Sequence, residues 1–100
     1  MLVVWSPRAN RDLQDIWRHF ARAATREIAD RLLRDIAATA HRVSERPLIG
    51  RPREELLVGL RSIRVAPYTV FYRVADRRIE IVRVLHERRN LVSAFRMEND

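Results

Sequence analysis

Few side chains in this chain could make or break a covalent bond. Cysteine is absent, and His19, His41 and His86 stand far apart in sequence and on different predicted elements. Those facts remove thiolate nucleophiles, disulfide staples and thiolate zinc sites, and no HExxH-type ligand spacing is present. Ser6, Ser44, Ser62 and Ser93 occupy no strand-to-helix elbow beside a base, so an acyl-transfer triad has no setting. With only 2 Gly there is no phosphate-cradling loop either. Neither a metal nor a cofactor is expected.

What the sequence supplies in quantity is guanidinium. All of the 20 basic residues are Arg and none is Lys, against 13 acids, for a formal charge of +7. Guanidinium stays protonated, forks onto carboxylates and phosphates, and stacks on aromatic rings. The excess is uneven: residues 1–45 hold 8 Arg against 6 acids, residues 46–96 hold 12 against 5. Arg61, Arg64, Arg73, Arg83, Arg88 and Arg89 all fall on or just after predicted strands, in part as a solvated sheet face and in part as an expected anion-binding surface for phosphates or for the carboxylates of an acidic protein. Arg61 and Arg83 alternate with Ile63 and Ile81, so partial burial is expected of both, and a buried Arg requires a paired anion or backbone acceptors. His86 closes the last predicted strand beside this cluster, as a member of an anion site or as a backbone partner at the strand end.

These residues must be positioned by a small scaffold. At 100 residues and 47% apolar composition the chain suits one compact domain, taken as 1–100, and the absence of cysteine suits a reducing cytoplasm. The apolar run at residues 1–5 is too short to span a membrane or to form a signal-peptide core. It reads as a strand. Ser6 followed by Pro7 then marks a helix start, and Ala9, Leu13, Ile16, Trp17, Phe20 and Ala24 recur on one face, with Arg8, Arg11, Asp12, Asp15 and Arg18 mostly around the other side. Thr25 caps a second helix whose stripe runs from Ile28 to Val43 and stops at Arg46 and Pro47.

Residues 47–59 lose all periodicity apart from a turn of helix near residues 54–57. Three β-rich runs at 60–65, 68–74 and 79–86 follow, separated by hairpin turns. Within the middle run Tyr68, Val70, Tyr72 and Val74 alternate with Thr69, Phe71 and Arg73, and only one of these faces can pack mainly against the helices. The fold expected is α+β, strand, helix, helix and three strands, with an antiparallel helical hairpin packed on a small mainly antiparallel sheet. The segment from about residue 91 packs as a turn of helix or awaits a partner.

Several stretches together resemble the RelE/ParE superfamily of type II toxin–antitoxin toxins, nearest its ParE branch. They are RPREEL at 51–56, GLRS at 59–62, YTVFY at 68–72 followed by Arg73, and IEIVRVLH at 79–86, with WSPRA at 5–9 before Asp12, Leu13 and Ile16. The similarity reaches about Leu91 and departs at residues 87–90, where the family commonly has a small residue after the His and an Asp at the position of Asn90. It implies a βααβββ toxin neutralised by a cognate acidic, ParD-like antitoxin that makes any DNA contact itself. It also implies one of two targets: DNA gyrase for ParE-like toxins, or mRNA at the ribosome for RelE-like ones.

Cleavage of RNA needs a proton acceptor, a proton donor and cationic stabilisation of the phosphorane, and Arg supplies only the third. In that alternative Arg61 and Arg83 stabilise charge, while proton transfer falls to His86, Glu87, Tyr68 or Tyr72. The C-terminal aromatic expected of the ribonuclease branch is missing, since only Phe95 lies there. The favoured reading is therefore a toxin that binds gyrase without catalysis. Arg61, Arg64, Arg73, Arg83, His86, Arg88 and Arg89 are its expected target-binding residues; Trp17, Phe20 and Leu32, with Arg61 and Arg83, are expected to hold the antitoxin.

Overall fold

Ser6 and Thr25 act as helix caps. The Ser6 Oγ accepts the Ala9 N–H at 3.0 Å, with Pro7 at the first helical position, and helix α1 runs Pro7–Ala23. Thr25 Oγ1 accepts the Ile28 N–H at 3.1 Å to open α2, Arg26–Glu45. The short link returns α2 along α1, and the Trp17 indole N–H bridges the pair by donating to Asp30 at 2.8 Å.

The computed structural model describes residues 1–98. Strand β1 is Leu2–Trp5, β2 Arg51–Pro52, β3 Arg61–Val65, β4 Tyr68–Ala75 and β5 Arg78–His86, and a last helix, α3, spans Leu91–Glu98. The sheet order is β1-β5-β4-β3-β2, with β1 parallel to β5 and every other neighbour antiparallel. The α+β architecture expected from sequence is present, with β2 and α3 added to it.

Both sheet faces are buried, which sharpens the single-face expectation for β4. On one side Tyr68, Val70 and Tyr72 join Ile79, Ile81 and Val84 beneath Ala9, Ile16, Ile36, Ala40 and Val43 of the helices. On the other, Phe71, Leu60, Val82 and Leu85 form a second cluster with Ala94 and Phe95 of α3. Among the described residues no helix is long and apolar enough to cross a membrane.

The β4–β5 hairpin closes through Asp76 and Arg77, both at positive φ (51° and 60°) between the paired residues Ala75 and Arg78. A two-residue loop of this hand matches the strand twist, and Asp tolerates it, whereas Arg carries a Cβ penalty. Replacing Arg77 with Gly is expected to stabilise the fold by about 0.5–1 kcal/mol, seen as a higher urea midpoint at unchanged slope.

Candidate functional site

A polar junction lies where β5 outruns β1. Pairing with β1 ends at Ile81, and from there α1 meets the strand. The Ser6 N–H donates to Ile81 O at 3.0 Å, and the Ser6 hydroxyl to Val82 O at 2.8 Å. Opposite β4 the register jumps from Phe71↔Arg83 to Tyr72↔Ile81, leaving Val82 as an extra residue. This bulge breaks the alternation, so Ile81 and Val84 both reach the helix-side core although three residues apart. It also redirects Arg83.

Arg83 is 7% exposed, and its guanidinium forks onto Asp12: Nε to Oδ2 at 2.8 Å and Nη2 to Oδ1 at 2.9 Å. Asp12 Oδ2 also accepts the Val84 N–H at 2.9 Å, so one carboxylate binds both a side chain and the backbone of β5. Helical spacing alone puts Asp12 mostly on the outer side of α1. In the fold it borders the apolar stripe, one turn beyond Ala9 and one before Ile16, and the acceptor required by a buried Arg was the signal that could have found it.

Above this pair is a cleft of about 250 Å³ lined by Arg8, Arg11, Asp15 and Arg89 as well as Asp12 and Arg83. It adjoins a smaller one beside Tyr68 and His86. The Tyr68 and His86 rings meet edge to face at 5.3 Å, and His86 Nδ1 accepts the Arg88 N–H at 3.1 Å, the backbone role considered for it from sequence. Burial pushes the Tyr68 phenol above its ordinary value of 10.0, so it keeps its proton at neutral pH and is no ready base.

Arg61 lies elsewhere. Its Nη1 donates to Gly50 O at 2.8 Å and Leu48 O at 3.3 Å, next to Tyr72, whose hydroxyl donates to Pro47 O and accepts the Gly50 N–H, both at 2.8 Å. Burial raises the Tyr72 pKa as well, against smaller lowering effects from the Gly50 N–H and Arg61. Arg61 pairs across β4 with Tyr72, whereas His86 pairs with Tyr68, four residues along the same strand. Four residues and two strand spacings put the Arg61 and His86 backbones roughly 16 Å apart. The trio Arg61, Arg83 and His86 does not converge.

The remaining expected target residues are on the surface. Arg64 pairs with Glu87 at 2.8 Å and Arg73 with Glu80 at 3.0 Å, exposed or half-exposed contacts that add little stability, and Arg88 and Arg89 are exposed. Among the described residues no three His, Asp or Glu side chains gather as a metal site would need.

Of the three apolar residues assigned to antitoxin capture, Phe20 and Leu32 pack partly buried against the helix–sheet core, and Trp17 is half-buried in its bond to Asp30. The open groove beside them is formed by others. Trp5, Leu13, Leu33 and Ala37 line about 460 Å³ of largely apolar space, with Asp30 and Arg34 at its rim. Their helical spacing marks most of them as core, and only the folded packing shows where that stripe stays uncovered.

A helical hairpin on a five-stranded mixed sheet is also the architecture of solved toxin–antitoxin proteins. A chain of the chromosomal ParDE system from P. aeruginosa superposes with a TM-score of 0.75 at 26% identity, covering 86% of this chain and 95% of that one. A chain of the RelBE2 toxin–antitoxin complex of Mycobacterium tuberculosis gives 0.60 at 27%, covering 85% and 95%. In sequence, Toxin ParE1 of Caulobacter vibrioides is 40% identical over 85 residues, 85% of this chain and 88% of the relative. Toxin ParE1 of Mycobacterium tuberculosis is 34% identical over 84 residues, covering 83% and 86%. The fold is thus that of the RelE/ParE superfamily. Residues 3–91 match the family described as the ParE toxin of the type II toxin–antitoxin system parDE, and the chain belongs to that family.

Proposed function

We propose that this ParE-family toxin arrests growth in the cytoplasm by binding DNA gyrase, without cleaving RNA, and that a ParD-like acidic antitoxin neutralises it. The observation that carries the non-catalytic reading is the dispersal of Arg61, Arg83 and His86, which a ribonuclease site would have to bring together. Arg83 is committed to Asp12, Arg61 to backbone carbonyls, and Tyr68 keeps its proton beside His86. Gyrase as the target rests on the ParE resemblance. Arg64, Arg73, His86, Arg88 and Arg89 then supply the accessible part of the target surface, while Arg61 and Arg83 act by holding the scaffold beneath it.

The groove at Trp5, Leu13, Leu33 and Ala37 suits the antitoxin, because a disordered acidic segment can fold into it as an amphipathic helix and pair with Arg34. DNA contact then belongs to the antitoxin. Purified toxin at roughly micromolar concentration, a strength common for transient protein complexes, should inhibit gyrase supercoiling, and added antitoxin should restore it. Transcript cleavage by purified ribosomes plus toxin, lost in a His86→Ala variant, would instead establish the ribonuclease reading.

A further inference from the structure

The loop at residues 47–50 is held more tightly than a connection between a helix and a short edge strand requires. Tyr72 grips it from both sides through Pro47 O and the Gly50 N–H, Arg61 reaches Leu48 O and Gly50 O, and the Ile49 N–H donates to Arg46 O at 3.0 Å. The approach at Gly50 is so close that a Cβ there would lie 2.6 Å from the Tyr72 ring and hydroxyl. Yet this fixed loop turns its two largest apolar side chains outward: Leu48 is 70% exposed and Ile49 38%. Arg46 and Arg51 flank them, and both are exposed.

We infer that residues 47–50 form a preformed docking knob, in which Leu48 and Ile49 enter an apolar recess with a carboxylate rim on the folded protein that this toxin inhibits. A rigid apolar projection loses little conformational entropy on binding, and so suits a recess that already exists better than a segment that folds as it binds. The two flanking guanidiniums set the rim's charge. The antitoxin groove does not reach the knob. Its last lining residue on α2, Ala37, is about 12 Å along the helix from Glu45, where α2 ends.

The inference rests on the reading of the chain as a toxin that works by binding. Its test is the double variant Leu48→Asp/Ile49→Asp, produced at the same cellular level as the parent chain, with Arg46→Glu/Arg51→Glu as an independent second variant. Because the substituted side chains are exposed, melting should shift by no more than a few degrees. Each variant should need at least about tenfold more protein to arrest growth, with antitoxin affinity changed less than about threefold. Unaltered growth arrest by both folded variants would overturn the knob. So would an antitoxin affinity that falls tenfold while arrest persists, which would make the loop part of the antitoxin site. A parent dimer that the Asp variant converts to monomer in sedimentation, with arrest retained, would overturn it in favour of self-association. A parent chain that does not slow growth at all is a different result, and it removes the toxin reading itself.

Discussion

Replacing Asp12 with Ala should lower the stability of the fold by about 3–5 kcal/mol, a cost typical of breaking a buried ion pair from one side. The side chains of Asp12 and Arg83 are only 12% and 9% exposed, so water entering from the cleft above them replaces the lost partner incompletely. Two further consequences add to the loss of the forked bond. The Val84 N–H loses its acceptor, and α1 loses one of its attachments to the stretch of β5 that β1 does not cover, the Ser6–Val82 bond remaining. A domain of this size has about 5–15 kcal/mol in total, so melting should fall by roughly 15–30 °C.

The double variant Asp12→Ala/Arg83→Met separates charge from packing. Removing the guanidinium as well while keeping an apolar stem should restore about half of the loss. Circular-dichroism melts of the two variants check this. Equal melting of Asp12→Ala and the parent chain would mean that the pair contributes nothing to holding α1 on the sheet.

The contrast between what was readable in advance and what was not follows from sequence separation. The caps at Ser6 and Thr25 act over three residues, and the hairpin strands announce themselves through β-branched runs and intervening turns, so both were legible. Strand β2 was not, because Arg51 and Pro52 carry no strand pattern; they pair with Ser62 and Arg61 only once β3 is in place. The Val82 bulge is equally hard to place, since the adjacent apolar pairs at 81–82 and 84–85 of IEIVRVLH suit a strand buried on both faces as well as a bulged one. Asp12 and Arg83 lie 71 residues apart, and the requirement for an acceptor could be read at Arg83 while its identity could not. The exposed arginines were visible by type, but their pairing with Glu87 and Glu80 depends on strand register.

The C-terminal segment was the least determined part of the sequence, and the family match stops at residue 91, where α3 begins. Its 8 residues are too few for a helix that is stable by itself, so its helicity must come from docking. The dock is Phe95, 1% exposed and edge-on to Phe71 at 5.0 Å, with Ala94 and Leu91 beside it over Leu60, Val82 and Leu85. Arg53 lies over the Phe71 ring, 5.5 Å from its centroid. Phe95→Ala is therefore expected to cost about 3 kcal/mol, at the lower end for a buried Phe because α3 can detach and relieve the cavity.

Detachment has a signature that a simple loss of global stability lacks. Amides of α3 should exchange with solvent about 100-fold faster, as 3 kcal/mol of lost docking implies, and a hydrophobic dye should bind the uncovered face of Phe71, Val82 and Leu85. Amides in the β4–β5 ladder should change far less, since the helix-side core of Tyr72, Ile79 and Ile81 remains packed. A Phe71→Ala substitution strikes the same cluster from within the sheet and should destabilise both regions together. If hydrogen exchange instead shows α3 and the β4–β5 ladder accelerating equally in Phe95→Ala, α3 belongs to the same cooperative unit as the sheet and is no separable cover.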